Sequence, residues 1–219
     1  MNELRGTPPL VIHADAMAWA TSPSPNVWRK RFEHTGPAEA GRVTSLVRYA
    51  PESTFAAHAH PDGEEILVLE GTFGDEHGSY PAGTFLLNPE GFEHAPRTRE
   101  GCDLFVKLRQ APGRRKPVRL DTRAAGWQPT GSSGQTRLEL YAEPGFPERM
   151  ELVRLTAGAA PLGLAFAGGG DVLVLDGACR AGVENCVART WLRFFPLGNA
   201  AISSDIGCTL YISYGSMAR

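Results

Sequence analysis

The 219-residue chain is poor in several things at once. It has no apolar run long enough to cross a bilayer as a helix. Its only four cysteines, Cys102, Cys179, Cys186 and Cys208, show no CxxC spacing. Charge of one sign is also lacking: 22 Lys and Arg face 24 Asp and Glu, a net charge of -2. That balance gives no electrostatic footprint for nucleic acid or an anionic membrane. No window carries a strong 3.6-residue apolar pattern, so long amphipathic helices are not expected. The N-terminus has no basic-then-apolar leader pattern. The expectation is a cytoplasmic protein whose thiols are reduced and buried.

What is abundant points to strands. The 25 glycines and 17 prolines are scattered between short apolar runs. Residues 42–50, 66–73, 83–88 and 102–110 read as strands. In the last, Leu104, Val106 and Leu108 share one face while Lys107 and Arg109 take the other, the period of a half-buried strand. The class is all-β, of sandwich or barrel type. Residues 111–135 are rich in Pro, Gly, Ser and basic side chains and read as a connector. Trp28, Arg29, Lys30 and Arg31 read as an arm lying on the barrel or on a partner subunit.

The chain repeats itself. GEEILVLEG (63–71) lies over GGDVLVLDG (169–177) at an offset of 106. EGCDLFV (100–106) lies over IGCTLYI (206–212) at the same offset, and SLVRYAPES (45–53) over ELVRLTAGA (151–159). NPEGFEHA (88–95) matches FPLGNAAI (195–202) at 107. One β-unit is duplicated.

The first copy carries the chemistry. HAHPDGEEILVLEG (58–71) puts His58 and His60 at i and i+2, hence on one face of a strand. PDG then turns the chain, and Glu64 opens the next strand. His94 follows NPEG near the start of another. In the second copy His58 falls over Leu164, His60 over Phe166, Glu64 over Gly170 and His94 over Ala201. Buried imidazoles and a carboxylate are costly unless something satisfies them, and a divalent cation does so. Joint replacement by apolar or small residues is what loss of such a cation leaves behind. His77 sits in a turn and reads as exposed; His13 and His34 lack partners at metal spacing.

These residues resemble the cupin family. His58, His60, Glu64 and Gly71 match its first motif, G(x)5HxH(x)3–4E(x)6G, with Ser53 at the leading glycine. Gly83, Pro89, Gly91 and His94 match the second, G(x)5PxGxxH(x)3N, with Thr98 at the final asparagine. The wording across residues 40–110 is similar to the ChrR-like branch, which includes the C-terminal cupin domain of zinc-binding anti-sigma factors and many free-standing homologues. The resemblance implies a double-stranded β-helix (jelly roll) in two tandem cupin units. The N-terminal cupin would cover residues 1–112, preceded by an arm over 1–40. Residues 113–145 would be a connector and strands leading into a degenerate C-terminal cupin over 146–219. It further implies His58, His60, Glu64 and His94 as ligands of a divalent metal, zinc first, with iron, manganese or nickel as alternatives.

About forty residues precede the first cupin strands and hold no Cys/His cluster, so the reading does not extend to gripping a sigma factor. Two functions follow. One is a metal-binding regulatory cupin that senses a small molecule or an oxidant. The other is a metal-dependent dioxygenase acting on a small diketone-like or phenolic substrate, with Ile66, Val68 and Phe85 walling the pocket. No acid–base residue beyond the metal set is identifiable, so no catalytic side chain is assigned. A sugar isomerase would need a further His or Tyr base. A small-molecule ligand and a homodimer are the expected partners, without nucleic acid or membrane.

Overall fold

A computed structural model describes residues 7–37 and 40–217. Apart from one three-residue 3-10 turn, Ala14–Ala16, the regular elements are all strands, paired antiparallel throughout. The chain divides into two compact units. One spans residues 17–125; the other combines residues 1–16 with 126–219.

The 17–125 unit is built on a sheet whose strands run in the spatial order Val118–Asp121, Thr84–Asn88, Glu64–Asp75, Cys102–Leu108, Arg42–Tyr49, Val27–Thr35, Ala20–Thr21. The pairs His58–His60 with Phe92–His94 and Ser53–Thr54 with Arg97–Thr98 complete the jelly roll. Alternation along each strand sends one set of side chains inward, and Val27, Val47, Ile66, Val68, Leu104 and Val106 form the core. Gly71 sits where the strand bends, at φ 69°. A Cβ there would strike the carbonyl of Gly101. Gly177 repeats both features against Gly207, so the glycine ending each motif is required by close backbone approach.

The second unit repeats the plan, with Arg149–Leu155, Gly170–Ala181, Thr190–Phe194 and Cys208–Tyr214 at its centre. Its core is larger, from Val153, Val172, Val174, Leu192, Leu210 and Ile212 among others. All four thiols are buried and free.

Three expectations need correction. The connector is not one: Val118–Asp121 is a strand pairing with Thr84–Asn88, placing Leu120 opposite Phe85. In the same way Leu10–His13 pairs with Thr190–Phe194, with Ile12 opposite Trp191. Each unit thus takes its edge strand from sequence outside the expected boundaries, which become 17–125 and 1–16 with 126–219. The opposite edges, at Ala20–Thr21 and Gln128–Pro129, also repeat one another. Arg48 stacks on Trp19 at 4.4 Å, and Arg154 on Trp127 at 4.2 Å. Strands of only four residues, VRLD and LVIH, carry too little alternation to be seen.

The residues read as an arm, Trp28 to Arg31, belong to the large sheet of the 17–125 unit as part of Val27–Thr35.

The repeat offset is 106 at the last anchor as well. Phe92 pairs with His60 and Gly198 with Phe166; His94 pairs with His58 and Ala200 with Leu164. His94 therefore corresponds to Ala200, not Ala201. Matching glycine to glycine misled: the turn needs a left-handed residue, which is Gly91 (φ 78°) in one copy and Leu197 (φ 65°) in the other.

Candidate metal centre

The His58–His60 strand lies antiparallel to Phe92–His94, with His94 directly opposite His58. Residues opposite one another, and residues two apart, share a face of such a pair. All three imidazoles are therefore delivered to one side by register alone. Asp62 and Gly63, both left-handed at φ 65° and 75°, then turn the chain back, with the Gly63 amide donating to the His60 carbonyl. That turn brings Glu64 in from the large sheet.

The result is one cluster. Among the described residues, His58, His60 and His94 offer nitrogens within 4.8 Å of one another, so the three histidines could bind a metal. The Nε2 atoms of His60 and His94 are 3.0 Å apart. Two nitrogens each about 2.1 Å from one ion are about 3.0 Å apart when the angle between them is near 90°. The Oε2 of Glu64 lies 3.5 Å from both of those nitrogens. His60, Glu64 and His94 are buried, and His58 is exposed at the mouth. His77 is exposed and lies outside the cluster; its backbone amide caps Asp75.

Neighbouring groups aim these donors. His58 donates from Nδ1 to the Ala56 carbonyl at 3.0 Å, which leaves Nε2 bare. His94 donates from Nδ1 to Oδ2 of Asp75 at 3.3 Å, with the same consequence. Asp75 is held in turn by the amides of His77 and Gly78 and by the Tyr80 hydroxyl. Glu64 is held by Asn88, whose Nδ2 donates at 2.9 Å, and Asn88 by Arg119 at 2.6 Å.

Burial sets the electrostatics of the cluster. Burial pushes the His60 imidazole down to about 4, helped by nearby His58 and Arg109. Burial also lowers His94, against the opposing pull of Glu64. Both rings are thus neutral at physiological pH, the state a metal needs. Burial raises the Glu64 carboxyl, opposed by His94 and by the Asn88 hydrogen bond. A carboxylate so placed is stabilised by a cation between it and the imidazoles.

The same place in the other unit is filled. Phe166 and Phe194, at the positions of His60 and Asn88, stack with ring centroids 4.5 Å apart and planes 12° from parallel. Gly170 replaces Glu64, and a Cβ on it would already strike the Phe166 ring. Ala181 stands for Asp75. The supporting residues Asp75 and Asn88 were thus erased together with the donors they support.

The metal-side cluster forms one wall of a cavity of about 650 Å³ inside the 17–125 unit. Val43, Val47, Leu104, Val106 and Leu108 give it apolar surface. Of the expected pocket walls only Ile66 lines it; Val68 is packed in the core and Phe85 lies between Leu67 and Leu120. Arg109, expected on the outer face, instead lines the cavity. The strand ends at Leu108, and a left-handed φ of 58° at Arg109 breaks the alternation. Tyr49 also lines it, a phenol that sequence reasoning did not find. Burial holds its hydroxyl protonated well above the usual range, Glu64 adds to this, and Arg29 opposes it.

Residues 7–112 match the ChrR cupin-like domain family. That stretch, just under half of the chain, is cupin-like. No curated protein matches the chain in sequence. Its fold is similar to that of the E. coli protein YlbA, with TM-score 0.73 at 15% identity over 93% of this chain and 88% of that one. It is also similar to the E. coli pirin YhhW in complex with nickel(II), with TM-score 0.68 at 14% identity over 94% and 97%. The Lactobacillus farciminis oxalate decarboxylase formate complex gives TM-score 0.70 at 9% identity over 95% and 86%. At these identities the likeness is one of fold, and it extends over both units of the chain. No helix among its described residues is long and apolar enough to cross a membrane.

Proposed function

We propose that His58, His60, Glu64 and His94 hold one divalent metal ion, and that the protein uses this ion to bind and oxidise a small organic molecule with dioxygen. The observation that carries the reading is the shared wall. The four donors are not sealed in a closed structural site but face a cavity large enough for a small diketone-like or phenolic molecule. Catalytic metal sites keep positions open in this way, whereas structural zinc sites close them. Bound there, the ion would supply Lewis acidity and, if it is iron, a one-electron path from the substrate, which is the reductant, to dioxygen. The protein's share is placement. Ala56 and Asp75 fix the tautomers of His58 and His94. Arg119 and Asn88 fix the Glu64 carboxylate. The apolar walls exclude water, and the Tyr49 hydroxyl, kept protonated, can donate a hydrogen bond to bound substrate.

The test is metal analysis of protein purified without added metal, followed by oxygen uptake after iron loading with catechol and pentane-2,4-dione. Uptake by the loaded protein that disappears in His94→Ala supports the reading; no uptake with any substrate at full iron occupancy rejects it. The match of residues 7–112 to the ChrR cupin-like domain supports a second reading, regulation through the metal. In that case peroxide should expel the ion without substrate turnover.

A further inference from the structure

We infer that the cavity is built for an organic acid: a small molecule whose carboxylate docks on Arg29 and Arg31 while its other end reaches the metal cluster. The inference rests on the metal-site reading above and adds the ligand's charge and orientation. Residues 27, 29 and 31 alternate on one face of the Val27–Thr35 strand, and all three line the cavity. Lys30 points the other way, with its ammonium 4.9 Å from the Trp19 ring. The strand carries a bulge between Arg31 and Glu33, a device that re-aims a side chain beside a site.

The charge on this wall has one sign. Among the lining residues the only carboxylate is Glu64, at the metal end, whereas Arg29, Arg31 and Arg109 bring three guanidinium groups. Arg109 shares its charge with Asp62 at 3.7 Å. A divalent ion on the histidines would make the cavity more positive still. Such a lining disfavours cations, gives a neutral molecule no electrostatic gain and attracts an anion.

The geometry sets how the anion lies. In the sheet, Val27–Thr35, Arg42–Tyr49, Cys102–Leu108 and Glu64–Asp75 are successive neighbours. Three spacings of about 4.8 Å put the arginine strand about 14 Å from the Glu64 strand along the sheet. Side chains extending from both ends narrow that gap to the length of a substituted aromatic acid. Between them the floor is apolar, with Val47, Leu104 and Val106 on the intervening strands. The ligand is therefore amphiphilic: a carboxylate at one end, an apolar middle, and a metal-chelating oxygen pair at the other. Guanidinium pairs bind carboxylates through short charge-assisted hydrogen bonds.

Two probes test this on the metal-loaded full chain by titration calorimetry: catechol, which offers only the chelating end, and 3,4-dihydroxybenzoate, which adds the carboxylate. The expected result is at least about tenfold tighter binding of the acid, the gain from one charge-assisted pair. In the Arg29→Gln, Arg31→Gln double variant the preference should fall below about threefold, with metal content unchanged. Because Arg31 is exposed, the single Arg31→Gln variant keeps the test open should the double variant misfold; it should lower the preference severalfold. Equal affinity for the two probes in the parent protein, or a preference that survives in a metal-replete variant, overturns the arginine assignment and leaves the metal reading intact. Failure of both probes on protein shown to carry metal removes both.

Discussion

Asp75 stands behind His94, its Oδ2 3.3 Å from the ring's Nδ1, while its Oδ1 takes the amides of His77 and Gly78. The two oxygens thus have separate tasks, one structural and one directed at the histidine. In Asp75→Asn the carbonyl must keep the amides, which turns the NH2 toward His94. The ring then has to accept at Nδ1 and carry its proton on Nε2, the atom facing the other donors. Metal affinity should fall about 10- to 100-fold, as expected for loss of an orienting carboxylate, with the fold intact. Competition with a chelator gives the affinity, and circular dichroism checks the fold. An unchanged affinity would separate Asp75 from the metal site.

Glu64 should show two effects of opposite sign. Without metal, an ionised carboxylate in this buried place is a cost, as its raised pKa indicates. Glu64→Gln removes the charge and keeps an oxygen for Asn88, so the metal-free protein should melt higher by a few degrees near neutral pH. The metal-loaded variant should lose at least about tenfold in affinity if the carboxylate is a ligand. Thermal melts with and without chelator read both. A variant destabilised in both states would make Glu64 a purely structural residue.

The strands of the first copy and the clustering of His58, His60 and His94 beside Glu64 were legible because two signals coincide there: period-2 apolar runs, and a motif whose polar residues vanish together in the second copy. The residues that aim the donors were harder to see. Asp75 lies just before a turn, where an acid is unremarkable by composition, yet the same comparison exposes it, since Ala181 takes its place. Arg119 was hidden for another reason. It sits in a charged four-residue edge strand whose role is set by pairing with Thr84–Asn88, far away in sequence. Arg29 and Arg31 looked like an arm because Trp28, Arg29, Lys30 and Arg31 run together as basic and aromatic residues. Only the strand's pleat, with Lys30 on Trp19 and the arginines inward, separates them.

His60 makes the metal-free protein acid-sensitive in a defined window. Its folded-state pKa of about 4 lies below the ordinary value of 6.5. As pH falls through 6.5, the unfolded chain takes up a proton that the folded chain refuses until about pH 4. Stability is therefore full above 6.5 and is lost on the way down to 4, by up to about 3 kcal/mol at 1.36 kcal/mol per unit. Glu64, shifted upward, opposes this and is common to both proteins in a comparison with His60→Asn. Chelator-treated parent protein should lose stability faster than His60→Asn between pH 6.5 and 4. Parallel pH profiles from urea unfolding would contradict the burial of a neutral imidazole there.

The second unit tests whether its filled site is structural. Phe166 is 1% exposed and stacks on both Phe194 and Tyr214, the latter at 5.3 Å between centroids. With Gly170 beneath it there is no side chain to collapse into the space a truncation would leave. Phe166→Ala should therefore cost about 3–5 kcal/mol, toward the upper end for a large buried aromatic. The metal content of the folded variant should not change, because every donor and every orienting residue lies in the 17–125 unit. Denaturant unfolding and metal analysis on one preparation measure both. A loss below about 1 kcal/mol would mean the ring is not packed as a plug. Metal lost in proportion to stability would place a donor outside His58, His60, Glu64 and His94.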